Sequence, residues 1–253
     1  MTVPAARAEQ ARAVMLELFP EGFEELGDEG GSLELAAYTN AAGEERIWQA
    51  FGGASSASDV DGDWEERWRQ FHRPQRVGSL WIGPPWERPD DDAIAVVIDP
   101  GRAFGTGGHA TTRLCLQLLE AEERGSVLDV GCGSGVLSIA ASKLGFAPVL
   151  GIDFDPQAVE ATERNAAQNG AEVDVRLGDL REAELPEADL ALANIAADAV
   201  AALGARLRTP RAITSGYLVS DAPVLEGYGL ERRIQNDGWA ADLHVRLREP
   251  LTR

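Results

Sequence analysis

VLDVGCGSGVLSIAA, residues Val127 to Ala141, reads as an apolar strand, a turn with glycine at 131, 133 and 135, and then a helix. Glycine lets the backbone turn sharply and approach a ligand closely, and the free amides of a helix N-terminus lie beside such a turn. The phosphate fingerprint of dinucleotide-binding folds would put a glycine at 136, where this chain has Val136. A nicotinamide dinucleotide site is therefore disfavoured. What remains is a strand, turn and helix built for close backbone approach, with Asp129 just ahead of the turn.

Downstream, VLGIDFD ends a second strand on Asp153, 22 residues after Gly131. A carboxylate there can take both hydroxyls of a ribose as charge-assisted hydrogen bonds. Helix capping is its alternative use, but Asp155 suits the cap better: Pro156 follows at the first helical position, and Asn169-Gly170 supplies a left-handed stop. Asp179 in LGDL closes the next strand, where it can accept from an adenine amino group or simply occupy a turn. The runs AIAVVI, SVLDV, VLGID, EVDVRL, DLALANI and RAITSG alternate with amphipathic helices. That pattern predicts an α/β fold with a mainly parallel sheet covered on both faces. LERRIQ and ADLHVRL, joined by NDGW, predict a closing antiparallel pair.

Upstream, Ala11, Val14, Met15 and Leu18 fall at helical spacing and Leu33, Leu35 and Ala37 alternate, so residues 1–83 read as a small α/β lobe. DVDGDWEERWRQF places Trp64, Trp68 and Phe71 on one face of a short helix, a stripe better suited to packing than to a ligand. PPWERPDDD, residues 84–92, has three prolines and an acidic run and predicts a linker, which leaves 93–253 as the larger domain.

The 253 residues, 44% hydrophobic, can fill a real core, and 23 basic against 42 acidic side chains leave a net charge of −19. That charge repels phosphate backbones and anionic lipid, so direct nucleic-acid or membrane binding is not expected, while a basic partner is easily accommodated. Acidity that only aids solubility is the plainer alternative. Cys115, Cys132 and the scattered His72, His109 and His244 fit neither a disulfide framework nor a four-ligand zinc site. No metal is expected, and a reducing, cytoplasmic location fits. No secretion signal is visible, and the apolar stretch from Ala188 to Ala205 is broken by Asp189, Asn194 and Asp198. A monomer is expected.

The G-x-G-x-G turn preceded by Asp129 and followed by Asp153 resembles the first motifs of class I S-adenosylmethionine-dependent methyltransferases. VVIDPGRAFGTGGHATTRLCLQLL, Val96 to Leu119, is more specific: it resembles the D-P-G-x-A-F-G-T-G-x-H-x-T-T motif of the PrmA family, methyltransferases of large-subunit ribosomal protein eleven. With GIDFDPQAVEATERNA, LANI, SGYLV and DGW, the similarity covers most of Ala93 to Leu247, and DWEERWRQF and IGPPWE extend it loosely into the front lobe. The resemblance implies a Rossmann-like, seven-stranded, mostly parallel sheet with a small N-terminal α/β substrate-recognition lobe. It implies S-adenosyl-L-methionine as cofactor, and methylation of α-amino or lysine ε-amino groups of a basic ribosomal protein. Thr112, Gly131, Gly133, Asp153 and Asn194 match cofactor-contacting positions, with Asp179 toward the adenine. Phe104, Gly105, Thr106 and Gly107 match the loop that closes over the methyl donor. The family usually reads T-H-P-T-T where this chain has Gly108-His109-Ala110-Thr111-Thr112.

Methyl transfer from a sulfonium is an in-line displacement that needs alignment in a dry pocket rather than a metal or a covalent nucleophile. An amine acceptor must present a lone pair, although reference pKa values of about 8 and about 10.4 keep it protonated at neutral pH until desolvation lowers them. The resemblance makes Asn194 the catalytic position: its side-chain oxygen can accept amine hydrogens and aim the lone pair, and satisfying a strand end is its alternative use. Phe104 can face a cation or pack the loop. His109 fits a structural hydrogen bond better than a base. Cys132 is explained by its size within the turn. Two other functions stay open: methylation of a different protein or a small-molecule amine, and non-catalytic cofactor binding.

Overall fold

The computed structural model describes residues 1–4, 7–19, 23–28, 32–37, 39, 41–52, 55–56, 73–99, 108–180, 182 and 184–247. The chain divides into two compact units, Met1–Arg69 and Gln70–Arg253.

In the first unit β1 (Thr2–Pro4), β2 (Glu24–Asp28) and β3 (Ser32–Ala36) form an antiparallel sheet in the order β1-β3-β2. Among the described residues, helices α1 (Ala8–Leu18) and α2 (Ala41–Phe51) belong to the same unit. Ala11 and Met15 of α1 share one apolar cluster with Leu33 and Leu35 of β3, so the helical and alternating periods seen in the sequence are the buried faces. The tryptophan-bearing segment with Trp64, Trp68 and Phe71 lies outside the described residues.

The second unit begins earlier than the proline pattern suggests. β4 (Gln75–Val77) pairs antiparallel with β5 (Leu80–Gly83), which pairs in parallel with β6 (Ile94–Val97). Residues 84–92 are thus the connection between two paired strands of one sheet, not a linker between domains. AIAVVI likewise belongs to this three-stranded sheet rather than to the main one. Prolines forbid regular pairing only within their own stretch, and hydrogen bonds on either side hold the connection in the unit. Val77, Leu80, Ile82, Val96 and Ile98 join the same core as the main sheet.

That main sheet has seven strands: β7 (Val127–Val130), β8 (Val149–Asp153), β9 (Asp174–Leu177), β10 (Leu190–Asn194), β11 (Arg211–Leu218), β12 (Tyr228–Asn236) and β13 (Trp239–Arg246). Their order is β12-β13-β11-β10-β7-β8-β9. β9, β8, β7, β10 and β11 run parallel, and β12 and β13 close the edge antiparallel. The NDGW turn is the expected two-residue hairpin, with Asp237 and Gly238 both at positive φ. Along β10, Leu190 and Leu192 enter one core while Ala191 and Ala193 enter the other, so the strand is buried on both faces. Helices α3 (Ala110–Glu120), α4 (Val136–Lys143), α5 (Pro156–Asn169) and α6 (Ala197–Leu203) cover the sheet. α5 starts as the sequence predicts: Asp155 caps it by accepting from the Gln157 N–H at 2.8 Å, and left-handed Gly170 ends it. Among the described residues no helix is long and apolar enough to cross a membrane.

Candidate functional site

The strand order turns back between β7 and β10, and ligands of open parallel sheets bind outside the carboxyl ends of the strands at such a point. The glycine turn leaves β7 there. Gly131, Gly133 and Gly135 all have positive φ (76°, 58° and 82°), a conformation that costs glycine nothing. A Cβ at position 131 would lie 2.6 Å from Cγ2 of Ile195, the residue after Asn194, so the turn and the end of β10 touch. Asp153 ends β8 with its side chain almost wholly buried. Its Oδ2 accepts from the Gly133 N–H (2.9 Å) and its Oδ1 from the Asp155 N–H (3.0 Å). Each oxygen keeps lone-pair capacity for further donors.

Asn194 ends β10. Its Nδ2 donates to Thr112 Oγ1 at 3.4 Å, while its Oδ1 is buried with no hydrogen-bond partner. A buried acceptor left unpaired is costly, and such atoms in a cleft are natural points of ligand contact. The backbone beyond it is fixed: the Ile195 N–H donates to the Ser215 carbonyl, and Gly216 sits at φ 100° with no room for a Cβ against the Ile195 carbonyl. Thr112 is buried in the first turn of α3. His109 caps that helix: its Nδ1 accepts from the Thr111 N–H (3.4 Å) and lies 2.8 Å from Thr111 Oγ1, and its ring meets Trp239 edge-on at 4.7 Å. Burial, reinforced by nearby Arg113, pushes the His109 pKa down to about 4, so it stands neutral as a capping acceptor.

Thr112, Gly131, Gly133, Asp153 and Asn194 are therefore brought to one edge of the sheet, and Asp179, exposed beyond β9, follows Gly178, whose N–H donates to the Asp153 carbonyl. Phe104, Gly105, Thr106 and Gly107 lie outside the described residues. The sequence reading missed Phe154, which stands 69% exposed directly after Asp153. A large aromatic between two aspartates that already have uses, in a turn with no core to join, is the signal that could have flagged it. It also missed the partner of Asp129, whose Oδ2 accepts from Ser138 Oγ at 2.5 Å. Burial raises the Asp129 pKa to about 6 against the lowering effect of Ser138. Burial also pushes the Cys132 thiol up to about 12, which leaves no thiolate at neutral pH. Among the described residues no group of three or more His, Cys, Asp or Glu side chains could hold a metal ion.

The fit to a nucleoside rests on the remaining lone pairs of Asp153, which can accept from hydroxyls, and the fit to an amine on the unpaired Asn194 Oδ1, an acceptor for N–H donors.

The family model described as ribosomal protein L11 methyltransferase (PrmA) matches residues 34–240. A relative from Aliivibrio salmonicida (strain LFI1238), named ribosomal protein L11 methyltransferase, is 53% identical over 121 residues, covering 46% of this chain and 41% of the relative. One of the same name from Escherichia coli (strain 55989 / EAEC) is 53% identical over 114 residues, covering 44% and 39%. The match thus spans about two fifths of the length of these curated relatives. The crystal structure of the ribosomal protein L11 methylase of Lactobacillus delbrueckii subsp. bulgaricus superposes with a TM-score of 0.62 at 30% identity, covering 69% of this chain and 99% of that one.

Proposed function

The chain belongs to the ribosomal protein L11 methyltransferase family, and from that membership we propose that it transfers methyl groups from S-adenosyl-L-methionine to amino groups of ribosomal protein L11. The observation that carries the reading is the buried, unpaired Oδ1 of Asn194 beside Thr112. When bound, the cofactor supplies an electrophilic methyl group on a sulfonium. The chain's own residues position and desolvate. Asp153 accepts ribose hydroxyls on the lone pairs that Gly133 and Asp155 leave open. The glycine turn lets the cofactor approach the backbone, and Phe154 offers it a flat aromatic face. Asp179 serves the adenine amino group, and the family resemblance assigns Phe104 to Gly107 to the methyl donor. Asn194 Oδ1 accepts an N–H of the acceptor amine, which directs the nitrogen lone pair along the line of transfer. Desolvation lowers the pKa of the bound ammonium, so its proton passes to solvent before the amine, as a free lone pair, meets the methyl group.

Charge supports a basic protein as acceptor. Residues 1–69 hold 5 basic and 15 acidic side chains, so 5 − 15 = −10 of the chain's −19 sits on the first unit. That unit is assigned to substrate recognition, with the protein a cytoplasmic monomer that binds neither nucleic acid nor membrane. Intact-mass analysis of unmethylated large-subunit ribosomal proteins incubated with the protein and S-adenosylmethionine tests the proposal. Mass gains in methyl-sized steps on ribosomal protein L11 alone are expected. Cofactor binding without any such gain would move the acceptor to another protein or a small amine.

A further inference from the structure

Helix α5 carries two asparagines one turn apart, Asn165 and Asn169, beside the small buried side chains of Ala158, Ala161, Thr162 and Ala166. Asn165 is fully buried and uses both ends of its amide. Its Nδ2 donates to the Ser134 carbonyl at 2.8 Å, inside the glycine turn, and its Oδ1 accepts from the Asp99 N–H at 3.3 Å, just beyond β6. Asn169 bonds the same strand differently. Its Oδ1 accepts from the Val97 N–H (2.8 Å) and its Nδ2 donates to the Val97 carbonyl (2.6 Å), which takes the place of a strand neighbour along β6. Asn169 therefore docks β6, whereas Asn165 joins β6 to the turn.

The turn needs such a tie. Three glycines at positive φ leave a backbone with little intrinsic preference for one conformation, so its amides point in fixed directions only if neighbours hold the peptide planes. The Ser134–Gly135 peptide is held at both ends: Asn165 takes the carbonyl, and the Gly135 N–H donates to the Cys132 carbonyl at 2.8 Å. The Gly133–Ser134 plane is held by Thr162, three residues before Asn165, which donates to the Gly133 carbonyl at 2.9 Å, and the Cys132–Gly133 plane by the Gly133 N–H on Asp153. We propose that Asn165 is a positioning residue for the cofactor: it locks the glycine turn in its binding shape and ties it to the strand end at Asp99. The inference rests on the S-adenosylmethionine reading above.

Three variants of the full chain separate this role from simple helix docking. Asn165→Asp keeps an acceptor for the Asp99 N–H and loses the donor to Ser134, Asn165→Ala loses both, and Asn169→Asp loses the donor to the Val97 and Asn165 carbonyls while leaving both side-chain bonds of Asn165 in place. Each is measured for S-adenosylmethionine Kd by calorimetry, for Tm, and for amide hydrogen exchange of residues 131–136 without ligand. Both Asn165 variants should weaken binding about tenfold or more and speed exchange in the turn, while Asn169→Asp, at a comparable loss of Tm, stays within about threefold with the turn still protected. The proposal fails if affinity falls in proportion to Tm at both positions, or if turn exchange is unchanged in the Asn165 variants. If the wild-type chain binds no S-adenosylmethionine, the cofactor reading falls, and exchange in the turn alone decides whether Asn165 holds it.

Discussion

Single carboxylates and amides at the strand ends have separable duties. Asp153→Ala removes the charge proposed to face the ribose together with the acceptors for Gly133 and Asp155, so S-adenosylmethionine binding should vanish by calorimetry. Retained affinity would refute the ribose assignment. Asn194→Ala should leave the cofactor Kd within about threefold yet lower kcat about a hundredfold or more, the scale of losing one preorganised polar group. A pure affinity loss would instead make Asn194 a binding residue. Asp129 offers a test by pH. Burial first, opposed by Ser138, raises its folded pKa from 3.8 to about 6. A raised carboxyl contributes stability that is full below the unfolded pKa and is lost as pH rises through the folded one. Asp129→Asn carries no charge at any pH, so it should match wild type below pH about 4 and exceed it by about 1–3 kcal/mol at pH 7 in denaturant unfolding. A variant less stable at pH 7 would mean that the charge itself holds the turn.

Elements carry the next level of constraint. The end of β10 is shaped by its neighbour β11, where a bulge between Ser215 and Tyr217 puts Gly216 under the Ile195 carbonyl at φ 100°. Gly216→Ala combines a strained φ with a collision against backbone. It should cost about 2 kcal/mol or more and depress turnover, because the segment that moves is the one bearing Asn194. Gly170→Ala is the comparison: φ is 59° at the end of α5, with open space around the added methyl. Only the backbone cost of about 1 kcal/mol applies there, with turnover unchanged. Equal Tm losses for the two variants would show that the close approach to Ile195 is relaxed elsewhere. Element ends are also where reading and structure agree best. The Asp155 cap, the Gly170 stop and the Asp237-Gly238 turn each depend on chemistry within a few residues. The α3 cap is of the same local kind: its acceptor is the ring of His109, two residues from the Thr111 N–H.

For the whole molecule, the proposed recognition of a basic protein by residues 1–69, which hold −10 of the chain's −19, would make substrate capture an electrostatic matter. Raising salt from about 50 to about 200 mM should raise KM for a basic protein substrate several-fold while kcat holds, since screening acts on encounter and not on the aligned reaction. A salt-independent KM would leave the acidity to solubility. Residues 70–253, which hold both cores of the main sheet, should fold and bind S-adenosylmethionine when expressed alone, with methylation of the protein substrate lost. The amino-acid sequence by itself determined the alternation of strands and helices, the rejection of a dinucleotide site by Val136, and the positions of Gly131, Asp153 and Asn194. The first two, with Gly131 and Asp153, follow from local rules of backbone freedom, periodicity and residue chemistry at a strand end, whereas the family resemblance singles out Asn194. Tertiary structure alone decided where the second unit begins, because only pairing of β5 with β6 shows that the proline-rich stretch stays inside it. It alone revealed that Asn194 Oδ1 lacks a partner and that Asn165 ties the glycine turn to Asp99. Those facts depend on which atoms meet across 31 and 66 residues of chain, and hydrogen bonding at that separation has no signature in the order of the residues themselves.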